Sequence, residues 1–382
     1  MRLQQHRRNF SLFDVLTIDA ELIYDEFSSG RKSPEAIRAF AQHLYEQDTK
    51  FKFLLLFGDG SFDFKHIYSD LPDQNFVPTY ETFESLDPLA AFPSDDYFAL
   101  LDDDNPGILR GDLDIAVGRL PVRTADEAEA IVSKIINYET NPQTLGDWRN
   151  QIGFFADDED FNLHINDADE IAEDTEDRHP NFVQNKIYWD AFNQVSTPGG
   201  NRYPDANEEL NRTVDNGLLV MNYLGHGGSL GWSQERVLNV SDINNWTNFN
   251  RLPLIITATC SFTGFDDASI TSAGEHSILN PVGGAVALFT TVRSVYASQN
   301  FRLTSAVYDN LFVQENGQFQ TIGEILRKSK NQVSLTNINA RKFLLIGDPS
   351  MTLAYPRHQV MTTQINGEAI VTNRLDTVGG IR

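Results

Sequence analysis

The feature that most constrains the fold of this chain is a series of short apolar runs, each of which stops abruptly at a glycine or a polar residue. Continuous runs of this length predict strands that are buried on both faces, as in a parallel sheet. Segments with a helical spacing of apolar residues lie between them, which predicts an α/β layered sheet with right-handed crossovers. The predicted strands are 12–18, 51–57, 115–117, 152–156, 218–224, 254–259, 285–291 and 343–346, and the predicted helices are 34–47, 124–138, 167–176 and 301–312.

Two changes in composition divide the chain. The polar stretch 141–150 (NPQTLGDWRN) follows a helix and precedes a new strand, so we predict one α/β subdomain over 1–147 and a second over 148–355. After Pro356 polar and apolar residues alternate, which predicts the start of an incomplete β-type extension over 356–382.

The amino-terminal segment carries no apolar stretch of the kind that signal peptides contain. No run approaches the roughly 18 apolar residues of a membrane span, so no transmembrane segment is expected. Because a strand-like segment begins almost at once, we expect a fragment of a longer exported chain. A cytoplasmic protein is the alternative.

Acidic residues outnumber basic residues by 54 to 30, which gives a net charge of −24. A surface this acidic repels phosphate backbones and argues against a nucleic-acid-binding protein. Carboxylates are the ligands that calcium prefers, so Asp157 and Asp160 are candidate ligands of a structural calcium ion. The single cysteine excludes an internal disulfide.

Chemistry-bearing residues follow three of the predicted strands. Sites in open α/β sheets form beyond the carboxyl ends of the strands. An imidazole beside a thiol yields the reactive thiolate, and a carboxylate can hold the imidazole in the productive tautomer. The backbone amides of Gly227 and Cys260 are candidate donors to an oxyanion. The strand tails are Asp157 to Asp160 after 152–156, Gly225 to Gly228 around His226 after 218–224, and Cys260 after 254–259.

Plainer interpretations of the same residues stay open. A lone cysteine at a strand end is commonly a small buried apolar residue, and a lone histidine in a glycine-rich turn is commonly structural. The acidic run 157–160 is commonly a solvated loop or a calcium site. A metal-dependent hydrolase is disfavoured because the Gly-His-Gly segment lacks a second histidine at ligand spacing.

Four segments in order resemble the gingipain family of cysteine peptidases, peptidase family C25. They are 219–227 (LVMNYLGHG), 252–260 (LPLIITATC), 290–298 (TTVRSVYAS) and 346–350 (IGDPS). The resemblance covers about residues 50–355. It implies a caspase-like α/β fold of layered sheets in two subdomains, with the site on the second, and protein substrates. The resemblance also implies that the chemistry requires no cofactor.

The resemblance also implies roles for individual residues. Cys260 matches the nucleophile and His226 the base, while Asp158, with Asp157 as its neighbour, stands where the family has a glutamate as third acid. Tyr296, with Ser294 in the same loop, stands where arginine-specific members have a tryptophan over the S1 pocket. Asp167 lies near the position of the aspartate that binds a basic P1 side chain in those members.

A second set of segments resembles the sortase branch of the family, which belongs to the type IX secretion system. They are 23–30 (IYDEFSSG), 54–64 (LLLFGDGSFDF), 93–97 (PSDDY) and 118–122 (GRLPV). This implies removal of the C-terminal targeting domain of cargo at the outer surface and transfer of the new carboxyl end to lipopolysaccharide. It also implies that other surface components of the type IX system are partners. The alternatives are a secreted endopeptidase of general function and a catalytically inactive caspase-like binding module.

Overall fold

The computed structural model describes residues 1–48, 50–102, 107, 109–333, 338–356, 363–365 and 368–369. The helices are α1 Arg2–His6, α2 Ala20–Ser28, α3 Pro34–Gln47, α4 Ala125–Thr140, α5 Glu159–Arg178, α6 Pro204–Asn216, α7 Val240–Asn245, α8 Ala273–Leu279, α9 Ala297–Leu311, α10 Ile322–Gln332 and α11 Ile338–Lys342. The strands are β1 Phe53–Phe57, β2 Ala116–Leu120, β3 Gln151–Ala156, β4 Val183–Tyr188, β5 Val195–Thr197, β6 Gly200–Arg202, β7 Val220–Leu224, β8 Gly227–Gly228, β9 Gly231–Trp232, β10 Leu238–Asn239, β11 Leu254–Ala258, β12 Ala287–Thr291, β13 Gln314–Glu315, β14 Gln318–Phe319, β15 Phe343–Ile346, β16 Gln364–Ile365 and β17 Glu368–Ala369.

Eight strands form one central sheet in the order β1-β2-β15-β12-β11-β7-β3-β4. All neighbours in it are parallel except β12 and β15, which are antiparallel. The sheet therefore consists of two parallel halves that run in opposite directions and meet at that pair. Strands β7, β11 and β12 are buried at every position, as their continuous apolar sequences predict. The predicted mixed α/β fold with a mostly parallel sheet is confirmed.

Most of the predicted elements are confirmed, and two differences have clear causes. The segment 12–18 forms no strand, because its apolar residues pair with no neighbouring strand, and Leu12 and Leu16 are exposed. Strand β4 is missing from the prediction because it lies at the sheet edge, where a polar sequence (VQNKIY) is tolerated. The capping box predicted at Thr124 and Glu127 does begin α4.

Buried ion pairs support the sheet, and those of Asp96 join residues on both sides of position 147. The guanidinium of Arg119, at the sheet, donates two hydrogen bonds of 2.7 Å to Asp95. The neighbouring Asp96 accepts from Lys330 at 2.7 Å and from Arg341 at 3.2 Å. Two of the segments that resemble the sortase branch, 93–97 and 118–122, therefore form part of the structural support of the sheet.

The predicted extension over 356–382 lies largely outside the described residues. Its described part contains β16, which pairs antiparallel with β17. In the described ranges no helix combines the length and the hydrophobicity needed to span a bilayer.

Candidate active site

The structure brings the loops of His226 and Cys260 side by side. Strands β7 and β11 are parallel neighbours, and Leu224 pairs with Ala258. Because His226 and Cys260 each lie two residues beyond this pair, both leave the same edge of the sheet on strands about 4.8 Å apart. The loops also touch, since a Cβ atom on Gly227 would lie 2.7 Å from Oγ1 of Thr259. Cys260 is partly exposed and not enclosed in the core.

The backbone of His226 is held from both sides. Its N–H donates to Oδ2 of the fully buried Asp157 at 2.5 Å. Its carbonyl oxygen accepts from the Tyr223 hydroxyl at 2.7 Å and from the Ser233 N–H at 2.8 Å. Gly225 is required before it, because a Cβ atom there would lie 2.3 Å from the Tyr223 hydroxyl. Asp157 thus positions the histidine backbone and not its ring.

The carboxylate at the imidazole is Asp160. Its Oδ2 lies 2.9 Å from Nε2 of His226, and Oε2 of Glu159 lies 4.0 Å from the same nitrogen. Asp158, the predicted third acid, accepts a 2.6 Å hydrogen bond from the Tyr203 hydroxyl. The structure therefore places Asp160 at the His226 ring and Asp158, two residues earlier, at the Tyr203 hydroxyl.

The turn that presents Asp160 has an unusual backbone. Asp160 and the two residues after it have φ angles of 54°, 58° and 61°, in the left-handed region. Residues other than glycine adopt this region rarely and tend to do so at functional sites. Helix α5 is regular only after this turn, so apolar periodicity could not indicate its first residues, and the predicted start at 167 lies eight residues too late.

His164 is a residue of this site that sequence reasoning missed. Its ring packs edge-to-face on that of His226, with centroids 5.2 Å apart, and its Nε2 lies 3.5 Å from Oδ2 of Asp160. Burial lowers the pKa of His164, and the nearby His226 lowers it further. Folding thus brings a second histidine close to His226, although the sequence has none at ligand spacing. The lack of a second histidine is therefore no longer an argument against a metal site.

One ligand atom from each of Asp160, His164 and His226 lies within 4.8 Å of the others. Two imidazoles and a carboxylate suit Zn²⁺ better than Ca²⁺. The calcium prediction on Asp157 and Asp160 stays a prediction, and the described contacts compete with it. The oxygens of Asp157 already accept backbone hydrogen bonds from Glu159 and His226.

The two candidate oxyanion donors have unused amides. Ser233 donates to the His226 carbonyl, so His226 and Ser233 form a hydrogen-bonded pair of the β8–β9 hairpin. Pairs in an antiparallel ladder alternate, so the Gly227 N–H points away from the hairpin. The described hydrogen bonds also leave the Cys260 N–H unused. Their role as oxyanion donors stays a prediction that this geometry permits.

A buried lysine near the thiol is a second residue that sequence reasoning missed. Lys342 is 0% exposed and donates a 2.7 Å hydrogen bond to the carbonyl oxygen of Ser294. Burial lowers the pKa of Lys342, and the charges of Cys260 and Asp87 oppose that shift. Its position at the end of α11, just before β15, carries no sequence signal of a functional role.

The three predicted pocket residues lie in two places, Ser294 and Tyr296 just before α9 and Asp167 on α5. Tyr296 is half-exposed at the start of α9, with its backbone N–H donating to Asn339 at 3.2 Å. Ser294 contributes the carbonyl that binds Lys342. Asp167 lies on α5, where burial, followed by Glu170, raises its pKa to about 6. The described contacts do not join Asp167 to Tyr296, and the substrate-binding roles of all three stay predictions.

The chain is similar to peptidase family C25 in sequence and to solved gingipain structures in fold. The sequence profile of peptidase family C25 matches residues 1–354. The crystal structure of the Arg-specific cysteine proteinase gingipain R (RgpB) has a TM-score of 0.67 at 18% identity, over 87% of this chain and 70% of that one. The complex of the Porphyromonas gingivalis RgpB pro- and mature domains gives 0.68 at 16%, over 92% and 75%.

Dimeric latent PorU from Porphyromonas gingivalis gives a TM-score of 0.47 at 25% identity, over 96% of this chain and 30% of the PorU chain. No curated protein matches the sequence. The chain shares the fold of gingipain R, so the caspase-like fold predicted from the sequence is confirmed.

Proposed function

The chain belongs to peptidase family C25, a family of cysteine peptidases, and from this membership we propose that it is an endopeptidase whose nucleophile is Cys260 and whose base is His226. The observation that carries the proposal is the register of β7 and β11, which brings the two residues out at the same edge of the sheet. The sulfur of Cys260 is partly exposed and the imidazole of His226 is half-exposed, so both are accessible to a polypeptide substrate.

In the proposed mechanism the Cys260 sulfur attacks the scissile carbonyl carbon after its proton passes to His226. The oxyanion that forms accepts hydrogen bonds from the amides of Gly227 and Cys260, each worth about 3 kcal/mol in the transition state. His226 then returns the proton to the leaving amine, the C–N bond breaks, and an acyl thioester remains. Water completes hydrolysis, and an amine completes transfer.

Two further residues support this chemistry. The charge of Lys342 interacts with that of Cys260, so this lysine is a candidate to stabilise negative charge on the attacking sulfur. We assign the orienting acid to Asp160, because it lies at the imidazole nitrogen, whereas Asp158 is engaged by Tyr203. The shorter side chain of aspartate is accommodated because the left-handed turn brings residue 160 towards the ring.

For the biological substrate, we propose the C-terminal targeting domain of type IX secretion cargo, removed at the extracellular face of the outer membrane. Support comes from the four sequence segments that resemble the sortase branch of the family. Transfer of the new carboxyl end to an amine of surface lipopolysaccharide is part of this proposal, because a thioester reacts with amines as well as with water.

The test is mass spectrometry of cargo carboxyl termini in cells that carry the wild-type protein or Cys260→Ala. We expect trimmed and modified termini with the wild type and intact targeting domains with the variant. A trimmed but unmodified terminus would leave a peptidase without the transfer step. Normal trimming by Cys260→Ala would remove Cys260 from the mechanism.

Two alternatives are distinguished by simpler measurements. A general endopeptidase would cleave unrelated peptides rapidly after one fixed residue, without a cargo domain. A non-catalytic module would carry a thiol that iodoacetamide does not alkylate at neutral pH. The partial exposure of Cys260 argues against the module.

A further inference from the structure

A cavity of about 910 Å³ adjoins the histidine loop. Its walls come from the β8–β9 hairpin, the segment that follows this hairpin, and the start of α6. The hairpin connects it directly to the site, because Ser233, in the cavity wall, donates to the His226 carbonyl at 2.8 Å. Residues bound in this cavity would therefore lie on the His226 side of the reacting bond.

Glu235 is an unsatisfied carboxylate in the wall of this cavity. It is 6% exposed, and its Oε2 has no hydrogen-bond partner among the described residues. Its Oε1 accepts a long hydrogen bond of 3.5 Å from Gln194. The hydroxyl of Ser233 is also buried without a described partner. A buried acceptor that lacks a partner destabilises the protein, and more so when it is charged, so a ligand that supplies a donor would be bound favourably.

The charged side chains that shift the pKa of Glu235 are other carboxylates. Burial, followed by the charges of Glu159 and Asp158, raises the pKa of Glu235, while a backbone hydrogen bond opposes this shift. Two arginines also line the cavity. Arg236 is exposed, and Arg202 donates to the carbonyl oxygens of Asn201 and Gly199. These guanidinium groups do not neutralise Glu235 through a described ion pair, so its carboxylate is available to a positive group.

The direction of the chemistry decides which part of a substrate reaches the cavity. His226 protonates the leaving amine, so the chain on the carboxyl side of the scissile bond must pass this histidine. Apolar walls formed by Trp232, Tyr203 and Leu230 suit the aliphatic stem of a long basic side chain. We propose that the cavity binds the leaving segment of the substrate and that Glu235 selects a lysine or arginine side chain there.

This inference rests on the proposed function for its orientation, but binding tests it without catalysis. The probes are fluorescent hexapeptide pools with a free amino terminus, which represent the leaving fragment. One set carries a lysine at one of the first four positions, and the other carries norleucine there. Anisotropy titrations use the full chain with Cys260→Ala, so that no covalent reaction occurs.

We expect at least one lysine pool to bind about tenfold more tightly than its norleucine counterpart, equivalent to about 1.4 kcal/mol. Adding Glu235→Gln should reduce this ratio to below twofold, whereas Glu235→Asp, which keeps the charge, should retain part of it. The matched control is Glu208→Gln, an exposed acid on α6, which should leave the ratio intact. Thermal melts verify that each variant is folded.

Equal binding of lysine and norleucine pools to the parent protein would overturn the inference, as would a preference that survives Glu235→Gln. Failure of every lysine pool to bind would overturn it too. A preference that depends on Glu235, together with normal cargo trimming by Cys260→Ala, would uphold the cavity as a cation site and overturn the proposed peptidase mechanism.

Discussion

Replacing Asp160 with asparagine tests which acid orients His226, the proposed catalytic base. The change removes a negative charge 2.9 Å from Nε2 of His226 and keeps the shape of the side chain. Opposite charges about 4 Å apart attract by about 1 kcal/mol in water and about 4 kcal/mol near a protein surface. Because 40% of the His226 side chain and 54% of the Asp160 side chain are exposed, solvent screens the pair and the lower value applies.

We therefore expect Asp160→Asn to lose about 1 to 1.5 kcal/mol of transition-state stabilisation, which is about a tenfold reduction in kcat/KM. The assay is cleavage of a cargo junction peptide, with each preparation normalised to the amount of Cys260 that iodoacetamide titrates. Normalisation separates a slower reaction from a smaller fraction of folded protein.

The matched control is Asp158→Asn, two residues earlier in the same loop. Its carboxylate binds the Tyr203 hydroxyl, so we expect a lower melting temperature and less than a twofold change in kcat/KM. If Asp158→Asn slows cleavage as much as Asp160→Asn, or if Asp160→Asn has no effect, the assignment of Asp160 is refuted. In the first case the side chains rearrange on substrate binding, and the prediction made from the sequence alone would stand.

Three more predictions follow from buried groups and close contacts. Lys342→Met should slow the alkylation of Cys260 at pH 7 by about three- to tenfold, because it removes a positive charge that interacts with the reacting sulfur, and equal rates would exclude that role. Gly227→Ala should reduce kcat/KM by about 10²-fold, because the added Cβ would lie 2.7 Å from Thr259 and displace the neighbouring histidine. In the control Gly264→Ala the added Cβ lies 3.9 Å from its nearest atom, so kcat/KM should hardly change. Burial raises the pKa of Asp59 to about 8 and that of Glu81 to about 9, so the stability these neutral acids contribute is complete below pH 4 and is lost as the pH rises towards 9. Urea unfolding at pH 5, 7 and 9 should show this decline, and a profile that is flat or rises would contradict it.

The sequence was sufficient for the elements whose signal is local. Strand β11, for example, is buried at every position, and its continuous run of apolar residues predicts this burial. The capping box of α4 likewise lies within four consecutive residues. Strand β4 was missed because an edge position relaxes the requirement for apolar residues, and 12–18 was predicted wrongly because an apolar run does not reveal whether a partner strand exists.

The pairing of Cys260 with His226 could also be predicted, because both follow strands that the fold makes neighbours. By contrast, the choice between Asp158 and Asp160 depended on a left-handed turn that no periodicity encodes. His164 and Lys342 lie 62 residues before His226 and 82 residues after Cys260 in the chain (226 − 164 and 342 − 260). Nothing in their local sequence connects them with the site.

The amino-acid sequence by itself determined most of the buried strands and the family, and it identified Cys260 and His226 as the candidate nucleophile and base, because each of these signals lies in consecutive residues. Tertiary structure alone decided which carboxylate meets the imidazole, which cation stands near the thiol, and that a cavity with an unpaired glutamate adjoins the histidine. Electrostatic interactions and hydrogen bonds depend on separations of a few ångströms between side chains, and only the packing of segments distant in the chain sets those separations.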